Sequence, residues 1–115
     1  MNKIILKTEI DNEIIDLSEF VKNIKYIIDN RTQLMRIEII FENSNDYLFN
    51  EFKEHLEYIS DVFDCVFYIR NNFLDFIFDF ICLTKIKSIE TTEDFYIVTA
   101  RIEHYANRGN SQIKW

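Results

Sequence analysis

The stretch MRIEIIFENSNDYLFNEFKEHLEYIS, residues 35–60, contains both kinds of element that decide the fold. From Met35 to Glu42, apolar and polar residues alternate, which is typical of a strand with one buried face. Asn43 to Asp46 interrupt the alternation with side chains that cap helices. Behind them, apolar residues recur at helical spacing: Leu48, Phe52, Leu56, Ile59 and Phe63. The stretch therefore predicts a strand followed by a helix over about residues 46–60.

Upstream of this stretch the pattern predicts a β-hairpin. Lys3 to Ile10 alternates with Ile4, Leu6, Thr8 and Ile10 on one face, and Asp11-Asn12 favours a tight turn into a second strand at Glu13–Leu17.

The segment from Leu17 to Ile28 has two interpretations. It fits a helix near residues 17–24 with Ser18 as its cap. It also fits a short turn at Ser18–Val21 followed by a strand at Ile24–Ile28, which is the interpretation we favour.

Two further hairpins are predicted downstream. The first joins Val62–Arg70 to Leu74–Lys85 around Asn71-Asn72-Phe73, and the second joins Lys87–Glu90 to Phe95–Tyr105 around Thr91-Thr92-Glu93. In the last strand Tyr96, Val98, Ala100 and Ile102 are expected to point inward. The predicted fold class is α+β: a small antiparallel β-barrel or strongly curved sheet with one main helix. Residues 1–115 are predicted to form a single domain with a polar tail at 106–115.

Composition excludes several functions. Of the 115 residues 48% are hydrophobic, which is enough for a core, while one Gly and no Pro leave no glycine-rich phosphate loop. The net charge of -7 argues against direct, sequence-specific binding of nucleic acid. The longest apolar region is too short to span a membrane. No signal peptide is visible at the start, so secretion by that route is not expected.

Catalytic groups are sparse, and we predict a protein that is not an enzyme, with no cofactor and no metal. His55 and His104 stand 49 residues apart without a ligand spacing around either. Cys65 and Cys82 fall on the apolar faces of predicted strands, where thiols are reduced, buried and inert.

The hairpin of residues 62–85 is apolar on both faces, and a strand of that kind needs cover on both. Its second face carries the candidate interface residues Val66, Tyr68, Ile77 and Ile81. An oligomer or partner could cover them, and so could the N-terminal segment or the helix.

The helix face opposite the apolar stripe carries Glu54, Glu57 and Asp61, and residues 42–64 hold seven acids against one base, Lys53. This acidic face could present carboxylates to a basic partner. It could equally be an ordinary solvated helix face.

The order of these elements resembles the tail-tube and baseplate-hub barrels of bacteriophage tails. The resemblance lies in Met35–Phe41 leading into the acidic helix and in the final strand Asp94–Tyr105, while Glu9–Val21 is similar to the opening hairpin of tail-hub domains. It implies a barrel flanked by one helix, in a ring-forming virion subunit whose sheets join those of its neighbours.

The leading hypothesis is therefore a phage structural or assembly protein that forms homo-oligomers or docks to other virion proteins. The alternative is a small acidic phage inhibitor that binds the basic groove of a host defence nuclease through its helix. In either case we expect the protein in the virion or the host cytoplasm.

Overall fold

The computed structural model of the chain describes residues 3–28, 31, 35–59, 64–73 and 76–107, with side chains described at 4–27, 31, 35–59, 64–70 and 82–104. The elements are β1 (Lys3–Ile10), β2 (Glu13–Asp16), a 3-10 turn (Ser18–Phe20), β3 (Val21–Ile28), β4 (Met35–Glu42), α1 (Tyr47–Ile59), β5 (Asp64–Phe73), β6 (Phe76–Thr91) and β7 (Phe95–Asn107). The fold is α+β and dominated by its sheet, as predicted.

The seven strands form one antiparallel sheet in the order β2-β1-β5-β6-β7-β4-β3. The ends of the sheet curl toward each other, and β3 consequently lies close to β1. Among the described strands, however, β2 and β3 each pair with one neighbour and do not pair with each other. The closed barrel predicted from the sequence is therefore wrong. The physical reason is the connection between the edges: Leu17 and Phe20 bury their side chains there, and Phe20 packs on Phe49 at 4.9 Å between ring centroids.

The N-terminal hairpin is confirmed. Asp11 and Asn12 have φ angles of 51° and 68°, the left-handed pair that a two-residue hairpin turn requires. The inward face of β1 is also as predicted: Leu6, Thr8 and Ile10 are buried.

The favoured interpretation of residues 17–28 is confirmed, and the possible second helix near 17–24 is wrong. Only a three-residue turn forms at Ser18–Phe20, and the chain then continues as β3. Ser18 does not cap a helix, because its hydroxyl accepts a hydrogen bond from the Leu6 amide at 2.9 Å and so ties the turn to β1.

The strand that opens the deciding stretch is confirmed as β4, which pairs with β7 from Met35↔Ile102 to Glu42↔Phe95. The inward residues of both strands are buried, as expected: Ile37, Ile39, Phe41, Tyr96, Val98, Ala100 and Ile102.

Helix α1 lies within the predicted range but is rotated from the predicted apolar stripe. Asp46 caps it, accepting a hydrogen bond from the Leu48 amide at 2.9 Å. The buried face is Phe49, Phe52, Leu56 and Ile59, whereas Leu48 is 41% exposed. The prediction that Leu48 points inward is wrong, because Phe49 packs among the rings of Phe20, Phe41, Phe52 and Tyr96 instead.

The β5–β6 hairpin is longer than predicted. Residues 71–73, the predicted turn, are paired with β6 as far as Phe73↔Phe76. The predicted break around residue 86 is also absent, because β6 runs continuously for 16 residues. Its pairing with β7 shifts register between Leu83 and Thr84 and between Ile86 and Ser88. The break in the sequence pattern near residue 86 therefore corresponds to local irregularities in the pairing and not to the end of a strand. The predicted tail begins inside β7, and its residues 108–115 lie outside the described part of the chain.

Candidate interaction surfaces

The sheet has an inner face, covered by α1, and an outer face that no described helix or strand covers. Side chains that alternate with the buried core project from this outer face. Six of its apolar side chains are only half-buried: Ile5, Ile40, Val66, Tyr68, Leu83 and Ile97. Three of them are neighbours, because Val66 lies opposite Leu83 and Tyr68 is two residues further along β5. We call Val66, Tyr68 and Leu83 the outer apolar patch.

Of the predicted interface residues, Val66 and Tyr68 have described side chains, and both lie on the outer face. Val66 lies opposite Leu83, Tyr68 lies opposite Ile81, and Ile77 lies four residue pairs further along, opposite Asn72. The side chains of Ile77 and Ile81 lie outside the described residues. Tyr68 is anchored to β1, because its hydroxyl donates a hydrogen bond to Glu9 Oε2 at 3.3 Å.

The acidic face of α1 is exposed where it is described. Glu54 and Glu57 are both exposed, and Asp61 lies outside the described residues. Sequence reasoning missed the aromatic part of this face: Tyr47 and Tyr58 are each 79% exposed. The signal was present in the spacing, because positions 47, 51, 54 and 58 follow one face of a helix.

We call Tyr47, Glu51, Glu54, Glu57 and Tyr58 the tyrosine–glutamate stripe. Its two tyrosines are separated by about 16 Å along the helix axis. Exposed tyrosines are common at protein interfaces, because a rigid apolar ring ends in a polar hydroxyl. The stripe therefore combines tyrosine rings suited to a protein interface with the negative charge of the glutamates.

A row of three cations crosses the outer face, and sequence reasoning missed it entirely. Lys85 on β6 lies opposite Arg101 on β7, and Arg101 lies opposite Arg36 on β4. We call these three residues the cationic row. Like charges directly opposite each other in a sheet are destabilising. No signal in the sequence reveals the row, because it depends on the register of strands distant in the chain.

The carboxylate of Glu103 forms ion pairs with two members of the cationic row. Arg101 Nη2 donates to Glu103 Oε1 at 3.0 Å, and Lys85 Nζ lies 3.9 Å from the same oxygen. The hydrogen bond from Arg101 is the main reason that the pKa of Glu103 lies below its ordinary value. Asp64 on β5 lies opposite Lys85, and Arg36 is exposed beside Arg101 at the other end of the row, so three cations face two carboxylates.

Lys53 holds the helix that carries the tyrosine–glutamate stripe. Its ammonium donates to Asn43 Oδ1 and to the Ser44 carbonyl, each at 3.1 Å. The same ammonium lies over the rings of Phe49 and Tyr96, 5.2 Å and 5.9 Å from their centroids. The loop before α1 is thereby fixed to the aromatic core, which orients the outer side of the helix.

The two thiols belong to the core. Cys65 and Cys82 are free and buried, and the Thr8 hydroxyl lies 3.5 Å from Cys65 Sγ. Burial raises the pKa of Cys65 to about 11 and that of Cys82 to about 12. Both thiols are therefore protonated at neutral pH, which is the unreactive form.

The histidines occupy separate places: His104 is exposed near the end of β7, and His55 is half-buried on the flank of α1. Within the described residues, no three side chains of the His, Cys, Asp and Glu types are grouped to bind a metal ion. The described part of the chain also lacks a helix with the length and apolar character to cross a membrane.

With this geometry established, the chain was compared with models of protein families, with curated proteins and with solved structures, and none of them matches it. The chemistry of the candidate surfaces is therefore the basis for the proposed function.

Proposed function

We propose that the protein is a non-enzymatic structural or assembly subunit of a bacteriophage virion, acting by self-association or by docking to other virion proteins. The observation that carries the proposal is the outer face, where half-buried apolar residues such as Val66 and Tyr68 have no described element over them. Apolar surface of this kind is stabilised when another protein covers it.

The virion assignment is supported by the order of the elements. An opening hairpin, a strand leading into one acidic helix and a long final hairpin follow each other in an order that resembles tail-tube and baseplate-hub subunits. The open sheet departs from the closed barrel that the resemblance implied. The proposal therefore assigns assembly to the faces of the sheet.

The edges of the sheet are poorly suited to strand addition, which departs from the joined sheets that the resemblance implied and favours assembly through the faces. One edge, β2, has only four residues, and the other, β3, has a register shift between Val21 and Asn23. Lys22 and Lys25 are exposed along β3. Short strands, irregular pairing and lysines are features by which proteins prevent edge-to-edge pairing.

A non-enzymatic role is supported by the state of the two thiols. Burial keeps Cys65 and Cys82 protonated, so neither presents the thiolate that nucleophilic catalysis requires.

Sedimentation velocity of the Tyr68→Ser variant tests the proposal. Removing the ring takes apolar area from the outer apolar patch without adding charge beside Glu9, and we expect weaker self-association with the fold retained. Tyr26→Ser is the matched control, because Tyr26 lies opposite the inward Ile37 and is 40% exposed. Equal association of both variants and the wild type would contradict a role for this patch.

A second candidate function is favoured by the tyrosine–glutamate stripe: inhibition of a host defence nuclease whose groove is basic. Exposed carboxylates and tyrosines could occupy a groove that normally holds nucleic acid. We expect the protein to protect DNA from nuclease in a host extract. Glu54→Lys combined with Glu57→Lys should abolish that protection, and added salt should weaken it steeply. Protection that is insensitive to salt would rule this function out.

A further inference from the structure

The tyrosine–glutamate stripe and the cationic row lie on opposite sides of the sheet. The stripe is on the solvent side of α1, which packs on the inner face through Phe49, Phe52 and Leu56. The row is on the outer face, alternating with the buried residues of β4, β6 and β7. Each copy of the chain therefore presents two charged surfaces of opposite sign in different directions.

The fold compensates the cationic row at one end only, because Asp64 lies opposite Lys85, whereas Arg36 lies between Ile27 and Arg101. Lys85 and Arg101 share one oxygen of Glu103, and Arg36 lies directly beside Arg101. Three cations against two carboxylates leave an excess of positive charge, and the neighbouring cations repel one another in the isolated chain. A carboxylate brought to this row from outside would relieve that repulsion, and the rings of the stripe could stack on the guanidinium groups.

From these positions we infer that the stripe of one copy docks on the cationic row and outer apolar patch of a second copy. The inference rests on the proposed function, because it names the partner and the contact in self-association. The occupant is a second copy because the chain itself carries an acidic, tyrosine-bearing helix of complementary charge. A nucleic acid suits the row less well, since the chain as a whole carries a charge of -7.

The contact is head-to-tail. A symmetric contact between two helices would bring Glu51, Glu54 and Glu57 against their own copies, and a symmetric contact between two outer faces would oppose the cations. Pairing unlike surfaces avoids both repulsions. Such a contact leaves one surface of each kind free, so further copies can add to form a ring or a filament.

Two sets of substitutions separate the surfaces. The stripe variant carries Glu51→Gln, Glu54→Gln and Glu57→Gln, which remove charge and retain helix propensity. The row variant carries Arg36→Gln and Arg101→Gln. Glu13→Gln, Glu19→Gln and Glu93→Gln form the charge-matched control, because these three exposed glutamates lie outside α1.

Light scattering on a sizing column gives the mass of each sample. We expect the wild type to associate at about 50 mM salt, with an association constant lower by at least roughly tenfold at about 500 mM. Each variant alone should be a monomer of 14.0 kDa, and the control should associate like the wild type. An equimolar mixture of the two variants should form a complex of two copies and nothing larger, because each contributes one intact surface.

The mixture decides between contact geometries. If the two variants stay monomeric when mixed, or if either associates alone as the wild type does, the stripe and the row are not each other's partners and the inference is overturned. In that case self-association of the wild type would still uphold the proposed function. A wild type that is monomeric at every salt concentration would overturn the inference and self-association together.

Discussion

Truncation of Phe49 tests the packing that orients the helix. Its ring is fully buried and lies 4.9 Å from Phe20, 5.4 Å from Phe41 and 5.7 Å from Tyr96, measured between ring centroids. Phe49→Ala removes these contacts and leaves a cavity. We expect the free energy of unfolding to fall by about 3 to 5 kcal/mol.

The neighbouring residue provides the control. Leu48 is 41% exposed, so Leu48→Ala should lower the free energy of unfolding by only about 1 kcal/mol. Urea denaturation followed by circular dichroism measures both changes. Similar losses for the two variants, or a larger loss for Leu48→Ala, would mean that the helix presents the stripe predicted from the sequence, and the reasoning would be refuted.

Three more predictions concern a lysine, a turn and the thiols. Lys53→Met should lower the free energy of unfolding by about 1 to 3 kcal/mol, since it removes two hydrogen bonds and the contacts with two rings, while Lys25→Met at an exposed site should change it little. Asn12→Gly should raise the thermal midpoint and Asn12→Ala should lower it, because the φ angle of 68° suits glycine; calorimetry that reversed this order would contradict the turn. Cys65 and Cys82 should react with iodoacetamide at neutral pH only after denaturation. The folded chain holds the two thiol protons more tightly than the unfolded chain. The contribution of the thiols to stability should therefore be constant below about pH 9 and fall as the pH rises toward 12, and a rise in stability between pH 9 and 12 would contradict the burial.

Local patterns predicted the elements well, because each depends on residues close in the chain. Alternation identified β4 and β7, and the Asp11-Asn12 pair identified the first turn. Errors arose where tertiary packing decided between similar patterns. Leu48 and Phe49 both fit an apolar stripe, and only the aromatic cluster around Phe49 selects between them.

Closure of the sheet could not be read from the sequence. A barrel and a curled open sheet share the same alternation along their strands. The difference lies in the short connection at residues 17–20, where buried side chains take the place of strand pairing.

The candidate surfaces, like the fold, were predictable only in part from the sequence. Val66, Tyr68, Glu54 and Glu57 were predicted, because hydropathy along a strand or a helix places them on a face. The cationic row was not, because the two-strand step from Lys85 through Arg101 to Arg36 depends on register between β6, β7 and β4.

The mass of the wild-type protein in solution tests the central claim most directly. We would measure it by light scattering on a sizing column, over a series of protein concentrations at low and at high salt. We expect a mass above the 14.0 kDa of one chain, which grows with protein concentration and declines with salt. A mass of one chain at every concentration and at both salt levels would contradict assembly through these faces.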